Sequence, residues 1–402
     1  MSTRLGDGSD VVVVGGSVAG LRTVAALRRR GFGGRIRVVS AEAAGHYYRP
    51  GLSKGFLNGD QEESALALPV DSAWEADILL GARATVLDHA QRRLTVLHDN
   101  RTLALGYDGL VIATGLTPRR LALPTALPDG VHHMRELREA RRLRDDLAAG
   151  PRVVVVGGGL IGSEVASTCR SLGLDVTVVD VADGLLHPVI GRAAGDRVTR
   201  LHRDHGVRVL TGAAVVAIDG YPRVESVTLS TGARLAADVV IVAIGARPQT
   251  DWLKESGLRL DDGVLCAANL GALGAAGVVA VGDLARRSTP NGAARRFEHW
   301  ENAVRQADVA ARTLLEGSRA PGDLPTTTFW SNQFDLQLHV MGHPGPTDEL
   351  RLLEGALDDL DCVAAYHRGG EVNALLSLNR PQRLRAHRNL LDHPATSKEL
   401  SA

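Results

Sequence analysis

Two runs of four valines, Val11–Val14 and Val153–Val156, dominate the apolar pattern of the chain. Short apolar runs without polar alternation, bounded by glycine, read as strands buried on both faces of a parallel sheet. Asp10–Gly20 reads DVVVVGGSVAG and continues as LRTVAALRRR, a helical period, then as a strand RIRVVS shortly before Glu42. Arg152–Asp180 repeats the plan as RVVVVGGGLIGSEVASTCRSLGLDVTVVD and ends on an acid. The likeness extends to LGYDGLVIATG (Leu105–Gly115) and LAADVVIVAIG (Leu235–Gly245), each with a proline three residues on, Pro118 and Pro248. The pattern predicts an internal duplication of one βαβ-based nucleotide fold.

Between these landmarks the periodicity changes. Residues 74–105 alternate as short strands with polar turns and predict a small antiparallel meander. Residues 117–150 are a proline-rich crossover followed by a charged helix, Arg135–Ala149. VVAVGD (Val278–Asp283) returns to the first sheet, and RFEHWENA (Arg296–Ala303) begins a helix running to about Leu315. GSRAPGDLP (317–325) reads as a linker. The remainder alternates as TTTFW, DLQLHVMG, ELRLLEG, CVAAYHRG and VNALLSLN, and ends in a basic run, Arg380–Arg388. The expected fold is α/β, with two Rossmann-like dinucleotide-binding domains and a C-terminal α+β domain carrying an antiparallel sheet. The first domain is discontinuous, 1–116 and 246–322. The second spans 117–245 and the third 323–402.

The length of 402 residues accommodates domains of this number. Hydrophobic content is 44% without a long uninterrupted apolar run, so no membrane span is expected. The start, MSTRLGDGSD, lacks an apolar signal core and reads as a short tail. A net charge of zero argues against bulk nucleic-acid binding. The three cysteines, Cys169, Cys266 and Cys362, are far apart, so neither a dithiol centre nor a metal site is expected. That usage fits a reducing, cytoplasmic setting.

The loops carry the chemistry. Gly157 permits a tight turn, Gly159 lets backbone approach a pyrophosphate, and Gly162 lets the helix pack closely on the strand. The helix N-terminus then offers free N–H groups to the phosphates. In the first copy the corresponding residues are Gly15, Ser17 and Gly20, with serine at the phosphate-approach position. Two such folds imply two dinucleotides with electrons moving between them. Glu42 is placed to bind a ribose hydroxyl, or is a solvated loop acid. Asp180 accepts from adenosine ribose hydroxyls, or caps a turn. No arginine follows in Val181-Ala182-Asp183-Gly184 to receive a 2′-phosphate, so NADH is expected over NADPH. Asp283, at the end of a strand, is placed to hold a ribityl hydroxyl, to cap a helix, or both. Lys54, in HYYRPGLSK, is one of only three lysines in an arginine-biased chain. It is a compact cation beside a flavin ring, or a surface charge.

Taken together, GGSVAG, YYRPGLSK, YDGLVIATG, VVVVGGGLIGSE, VTVVD, DVVIVAIGARP, VVAVGD, RFEHWENA and FWSNQFD give the chain a wider resemblance, covering nearly its whole length. It resembles the FAD-dependent, NADH-linked ferredoxin reductases that serve cytochrome P450 and ring-hydroxylating dioxygenase systems, which share a glutathione-reductase-like fold. The resemblance implies an FAD site at Gly15, Ser17, Gly20, Glu42, Arg49, Pro50, Lys54, Ala113, Arg135, Asp283 and Trp300. It implies an NADH site at Gly157, Gly159, Ile161, Gly162, Glu164, Asp180 and Gly245. Lys54, Glu164 and Trp330 would stand closest to the chemistry, with Lys54 near flavin N5, Glu164 near the nicotinamide and Trp330 at the flavin edge. The implied partner is an acidic iron–sulfur ferredoxin with a [2Fe-2S] or [3Fe-4S] cluster, the protein itself being a monomer or weak homodimer. Arg286, Arg287, Arg295, Arg296 and the Arg380–Arg388 run are candidates to steer it. The chain departs from the family pattern at Ser17, at Asn332 and Leu284, and at Asp183-Gly184, where an arginine is common. A flavin-bearing signalling protein of the apoptosis-inducing factor type and an NADH oxidase are the alternatives.

Overall fold

The computed structural model describes residues 5–123, 126–288, 294–324, 326–345 and 347–392. They fall into two compact units. The first comprises Met1–Tyr48, Leu66–Thr117 and Arg247–Thr327, and the second Arg49–Ala65, Pro118–Ala246 and Thr328–Ala402.

The first unit is built on a five-stranded parallel sheet in the order Val278–Ala280, Gly109–Ile112, Asp10–Val14, Arg35–Ser40, Ala76–Leu80. Val11, Val12 and Val13 are wholly buried, which is why the run carries no polar alternation. The helix Val18–Arg29 turns Leu21, Val24 and Leu27 inward and packs against the long helix Trp300–Glu316. Ahead of Gly109–Ile112 lies an antiparallel meander of Arg83–Asp88, Arg93–His98 and Arg101–Gly106.

The second unit repeats this plan. Its five-stranded parallel sheet has the order Arg208–Leu210, Asp175–Val179, Arg152–Val156, Val239–Val242, Val131–His133. Val153–Val156 are at most 5% exposed, and burying each valine contributes on the order of 1.5–3 kcal/mol. A second three-stranded antiparallel insert, Val215–Asp219, Ser226–Leu229 and Arg234–Ala236, precedes the return strand Val239–Val242, where the first copy has its meander. The duplication therefore reaches beyond the glycine loops to the inserts.

The C-terminal segment adds a five-stranded antiparallel sheet in the order Thr328–Gln333, Leu336–Gly342, Glu371–Leu378, Asp361–Arg368, Glu349–Ala356. Buried Tyr366 donates its hydroxyl to the Ile190 carbonyl at 2.6 Å. That carbonyl precedes Gly191, whose φ of 73° breaks the helix His187–Asp204. The basic run forms the short helix Pro381–Ala386.

Candidate active site

In open α/β sheets ligands bind beyond the carboxyl ends of the strands, where the strand order reverses. In both units that point is a glycine loop. Gly15 has φ +121°, and a Cβ there would lie 2.1 Å from the Ala113 carbonyl oxygen at the end of the neighbouring strand. A Cβ at Gly20 would lie 1.9 Å from the Gly15 carbonyl. Nothing larger than glycine fits either position. Ser17 is the N-cap of Val18–Arg29, yet its side chain makes no cap hydrogen bond, so the first N–H groups of the helix are not satisfied by it. His46 donates Nδ1–H to the Gly16 carbonyl and backs the loop from beneath. Burial pushes its pKa below the ordinary value. Glu42 accepts from the Tyr47 hydroxyl, and Tyr48 meets Trp300 edge-on at 4.8 Å. Asp283 follows Val278–Ala280 and leads into a turn and the strand Ala285–Ser288 rather than a helix. The first unit thus gathers Gly15, Ser17, Gly20 and Ala113 at one sheet end. Glu42, Asp283 and Trp300 follow their own strands or open their helix.

The second loop has the same construction. Gly157 has φ +106° and would place a Cβ 2.4 Å from the Ala243 carbonyl, while one at Gly162 would lie 1.9 Å from the Gly157 carbonyl. At Gly159 no atom stands within 4 Å of such a Cβ, so a side chain there would intrude only on what the loop binds. Asp180 accepts from the N–H of Gly158 and, at 2.7 Å, from that of Ala182. The acid is tied to the glycine loop itself. Ile161 is 43% exposed, and Gly245 follows Val239–Val242 with φ +87°. Arg192, from the kinked helix, pairs with Asp183 at 2.5 Å, an arginine that local sequence did not bring to this loop. Both loops fit a dinucleotide pyrophosphate, since each sets glycine backbone at a helix N-terminus, with Ser17 in the first loop at the position that Gly159 holds in the second.

A third cluster lies within the second unit. Glu164, one turn into the helix Leu160–Ser171, is only 4% exposed. A buried carboxylate costs several kcal/mol unless it is paired and hydrogen-bonded. Here it has three donors: Lys54 Nζ at 2.6 Å and Ser53 Oγ at 2.7 Å on Oε2, and Ser331 Oγ at 2.7 Å on Oε1. Lys54 is therefore no solvated surface charge. Thr168 donates to the Ser53 carbonyl at 2.7 Å, fastening the Lys54 segment to the same helix. Arg49 donates to the Arg135 carbonyl at 2.8 Å, bringing those two together, with Pro50 following Arg49 in a single 3₁₀ turn. Trp330 precedes Ser331 on the strand Thr328–Gln333, so its side chain leaves the opposite face. Sequence reasoning named Lys54, Glu164 and Trp330 but missed Ser53, Thr168, Ser331 and His46.

Residues 9–307 match the pyridine nucleotide-disulphide oxidoreductase family, and residues 328–401 match the reductase C-terminal family. The chain is 37% identical to the ferredoxin reductase component of chlorobenzene dioxygenase from Cupriavidus sp. (strain PS12), over 92% of this chain and 90% of that one. It belongs to the FAD-dependent ferredoxin reductases. Putidaredoxin reductase of Pseudomonas putida is 32% identical over 92% of this chain and 89% of its own. Among solved structures, the covalent putidaredoxin reductase–putidaredoxin complex matches with a TM-score of 0.89 at 30% identity, covering 95% of this chain and 93% of that chain. The family uses FAD and NAD(H). Its disulphide chemistry has no counterpart here. All three cysteines are free and buried, and burial pushes Cys169 and Cys266 up to about 12 and Cys362 to about 11. At pH 8 a thiol of pKa 11 is about one part in a thousand thiolate, the reactive form. Iodoacetamide is expected to leave the native protein unalkylated by mass spectrometry, and alkylation of any of the three before unfolding would contradict this.

Proposed function

We propose that this chain oxidises NADH and, through FAD, delivers electrons singly to a small iron–sulfur ferredoxin that serves a cytochrome P450 or similar oxygenase. The observation that carries the reading is the pairing of the buried Glu164 carboxylate with the partly exposed Lys54 ammonium, in a chain with two dinucleotide loops and no reactive thiol. Electrons entering such a protein have no internal dithiol to receive them and leave for an external acceptor. The named relatives make that acceptor a ferredoxin.

When bound, FAD takes up two electrons from a nicotinamide and releases them one at a time. The chain's own residues hold and orient. Gly15, Ser17 and Gly20 would receive the FAD pyrophosphate and Glu42 its ribose, while Arg49, Pro50, Ala113, Arg135, Asp283 and Trp300 complete that site. Gly157, Gly159, Gly162 and Asp180 would hold the adenosine half of NADH, with Ile161, Glu164 and Gly245 toward its nicotinamide. Lys54 supplies a positive charge fixed by Glu164, and such preorganised charge is worth most where water is excluded. Trp330 would stand at the flavin edge.

The partner is an acidic ferredoxin with a [2Fe-2S] or [3Fe-4S] cluster, met by a monomer or weak homodimer in the cytoplasm. No helix among the described residues is long and apolar enough to cross a membrane. Most of the arginines considered for steering are already engaged. Arg286 pairs with Asp261, Arg296 with Asp262 and Glu298, Arg380 with Asp361 and Arg383 with Glu354. Arg287 donates to the Gly322 carbonyl. Arg295, Arg385 and Arg388 are exposed and have no ion pair among the described residues, which makes them the better candidates.

Anaerobic titration of the flavin-loaded protein tests the nucleotide choice. NADH bleaches the flavin absorbance rapidly. NADPH is bound at least about tenfold more weakly, the equivalent of 1.4 kcal/mol, because Asp180 repels its 2′-phosphate and Asp183 occupies Arg192. An equal response to both would remove Asp180 from that role. Slow bleaching with a persistent long-wavelength band would indicate a signalling flavoprotein instead.

A further inference from the structure

We propose that His202, Gln333 and Ser331 form a directed chain of hydrogen-bond donors that positions the Glu164 carboxylate, and through it the Lys54 ammonium, for NADH oxidation. The inference rests on the function proposed above and adds three positioning residues to it.

The chain is legible atom by atom. His202, near the C-terminal end of the helix His187–Asp204, is wholly buried, with Nε2 2.9 Å from Gln333 Oε1. An amide oxygen only accepts, so Nε2 carries the proton and His202 donates. Its Nδ1 is then a buried acceptor with no partner among the described residues. Gln333 Nε2 donates to Ser331 Oγ at 3.1 Å, and Ser331 Oγ donates to Glu164 Oε1 at 2.7 Å. Both Gln333 and Ser331 are wholly buried. In each bond the donor lies on the side away from Glu164, so the dipoles align with their positive ends toward the carboxylate. Bonds in such a row polarise one another. Burial also holds His202 neutral, with its pKa pushed down to about 4, so the direction of donation is the same throughout the neutral range.

The scaffold around the chain fixes its members. Ser331 and Gln333 are two apart on one strand and share a face. The adjacent Phe334, at φ 53°, donates its N–H to Ser167 Oγ at 2.6 Å. Its ring stacks on His205 at 3.9 Å and meets His202 edge-on at 5.1 Å. The hairpin tip is thus fastened to Leu160–Ser171, which carries Glu164, and to His187–Asp204, which carries His202. Three uncharged polar side chains buried between a strand and a helix destabilise the packing there unless satisfied. An apolar trio would pack there at lower cost, and what the polar trio adds is a row of donors ending on the one buried carboxylate that faces Lys54.

The test is a double-mutant cycle on the flavin-loaded enzyme, reading the NADH reduction rate constant, KM for NADH and the flavin midpoint potential, with Tm as a check on folding. His202→Phe keeps the ring against Phe334 and removes the donor, while His202→Gln keeps an N–H. The expected result is a rate constant about tenfold lower for His202→Phe, in the range seen when groups supporting a functional residue are removed. KM changes little, the potential moves in the direction that Lys54→Met moves it, and His202→Gln restores both. In a Glu164→Gln background His202→Phe has no further effect, since it acts through Glu164. Ser331→Ala carries the same cycle if His202→Phe does not fold. If Glu164→Gln slows reduction but His202→Phe or Ser331→Ala is silent, or the effects simply multiply, the chain is structural and the inference is overturned with the proposed function intact. If Glu164→Gln itself changes neither rate nor potential, the inference and the role given to the Lys54–Glu164 pair both fall.

Discussion

Gly20→Ala is expected to yield a colourless protein, and Gly162→Ala a yellow one that NADH no longer saturates. The two glycines are equivalent positions of the duplicated fold, and each helix meets its loop with no room for a methyl group. The added Cβ would lie 1.9 Å from a backbone carbonyl in either case, Gly15 or Gly157. Backbone cannot rotate away as a flexible side chain can, so the helix N-terminus must withdraw from the loop. Overpacking of this kind costs about 1–3 kcal/mol or more, which is about 5- to 150-fold in affinity if it falls on the bound state. The assignment of cofactors to loops makes the two losses separable. Flavin content by absorbance measures the first, and the NADH dependence of flavin reduction measures the second. Loss of flavin from Gly162→Ala with flavin retained by Gly20→Ala would invert the assignment.

Lys54→Met is expected to lower both stability and the rate of reduction by NADH. Methionine keeps the length and apolar stem of the side chain but removes the ammonium 2.6 Å from Glu164. The carboxylate, 4% exposed, retains two serine donors among the described residues. Leaving a buried charge without its counterion costs up to about 3–5 kcal/mol when the whole pair is buried, and somewhat less here, where Lys54 is 23% exposed. Loss of one preorganised group at a reacting centre lowers the rate about 10²- to 10³-fold. Glu164→Gln leaves instead the Lys54 ammonium without its counterion, but that group is 23% exposed and water can solvate it, so the loss in Tm should be milder. The pair of variants therefore separates the electrostatic cost from the packing cost. Thermal unfolding and stopped-flow reduction measure them, and a Lys54→Met protein with wild-type rate would remove Lys54 from the chemistry.

The parts of the molecule legible in the sequence are those where backbone geometry dictates a residue type locally. Gly15, Gly157, Gly20 and Gly162 are forced by φ or by carbonyl contact within a few residues or across one strand pair, and so they stand out in the sequence. The valine runs reveal the parallel sheets for the same local reason. The insert Val215–Ala236 is harder to see because its strands are short and half exposed. What the sequence did not display is side-chain company at long range. Glu164 meets Ser53 across 111 residues and Ser331 across 167, and no periodicity connects them. Arg192, which pairs with Asp183, follows directly on the break in the helix at Gly191. The segment Arg49–Ala65 groups with the second unit although it lies inside the first in chain order. Lys54 was singled out by rarity in the composition, but only the fold supplies its partner.

The central claim is that electrons enter from NADH and leave to a ferredoxin. An anaerobic double-mixing experiment addresses it directly: the flavin is first bleached with one equivalent of NADH, then mixed with a [2Fe-2S] ferredoxin, and separately with oxygenated buffer. The account predicts rapid return of the flavin absorbance with two ferredoxins reduced per NADH, since each cluster takes one electron, and a much slower return with oxygen. Return that is as fast with oxygen as with ferredoxin, or a bleached flavin that ferredoxin leaves unchanged, would contradict it.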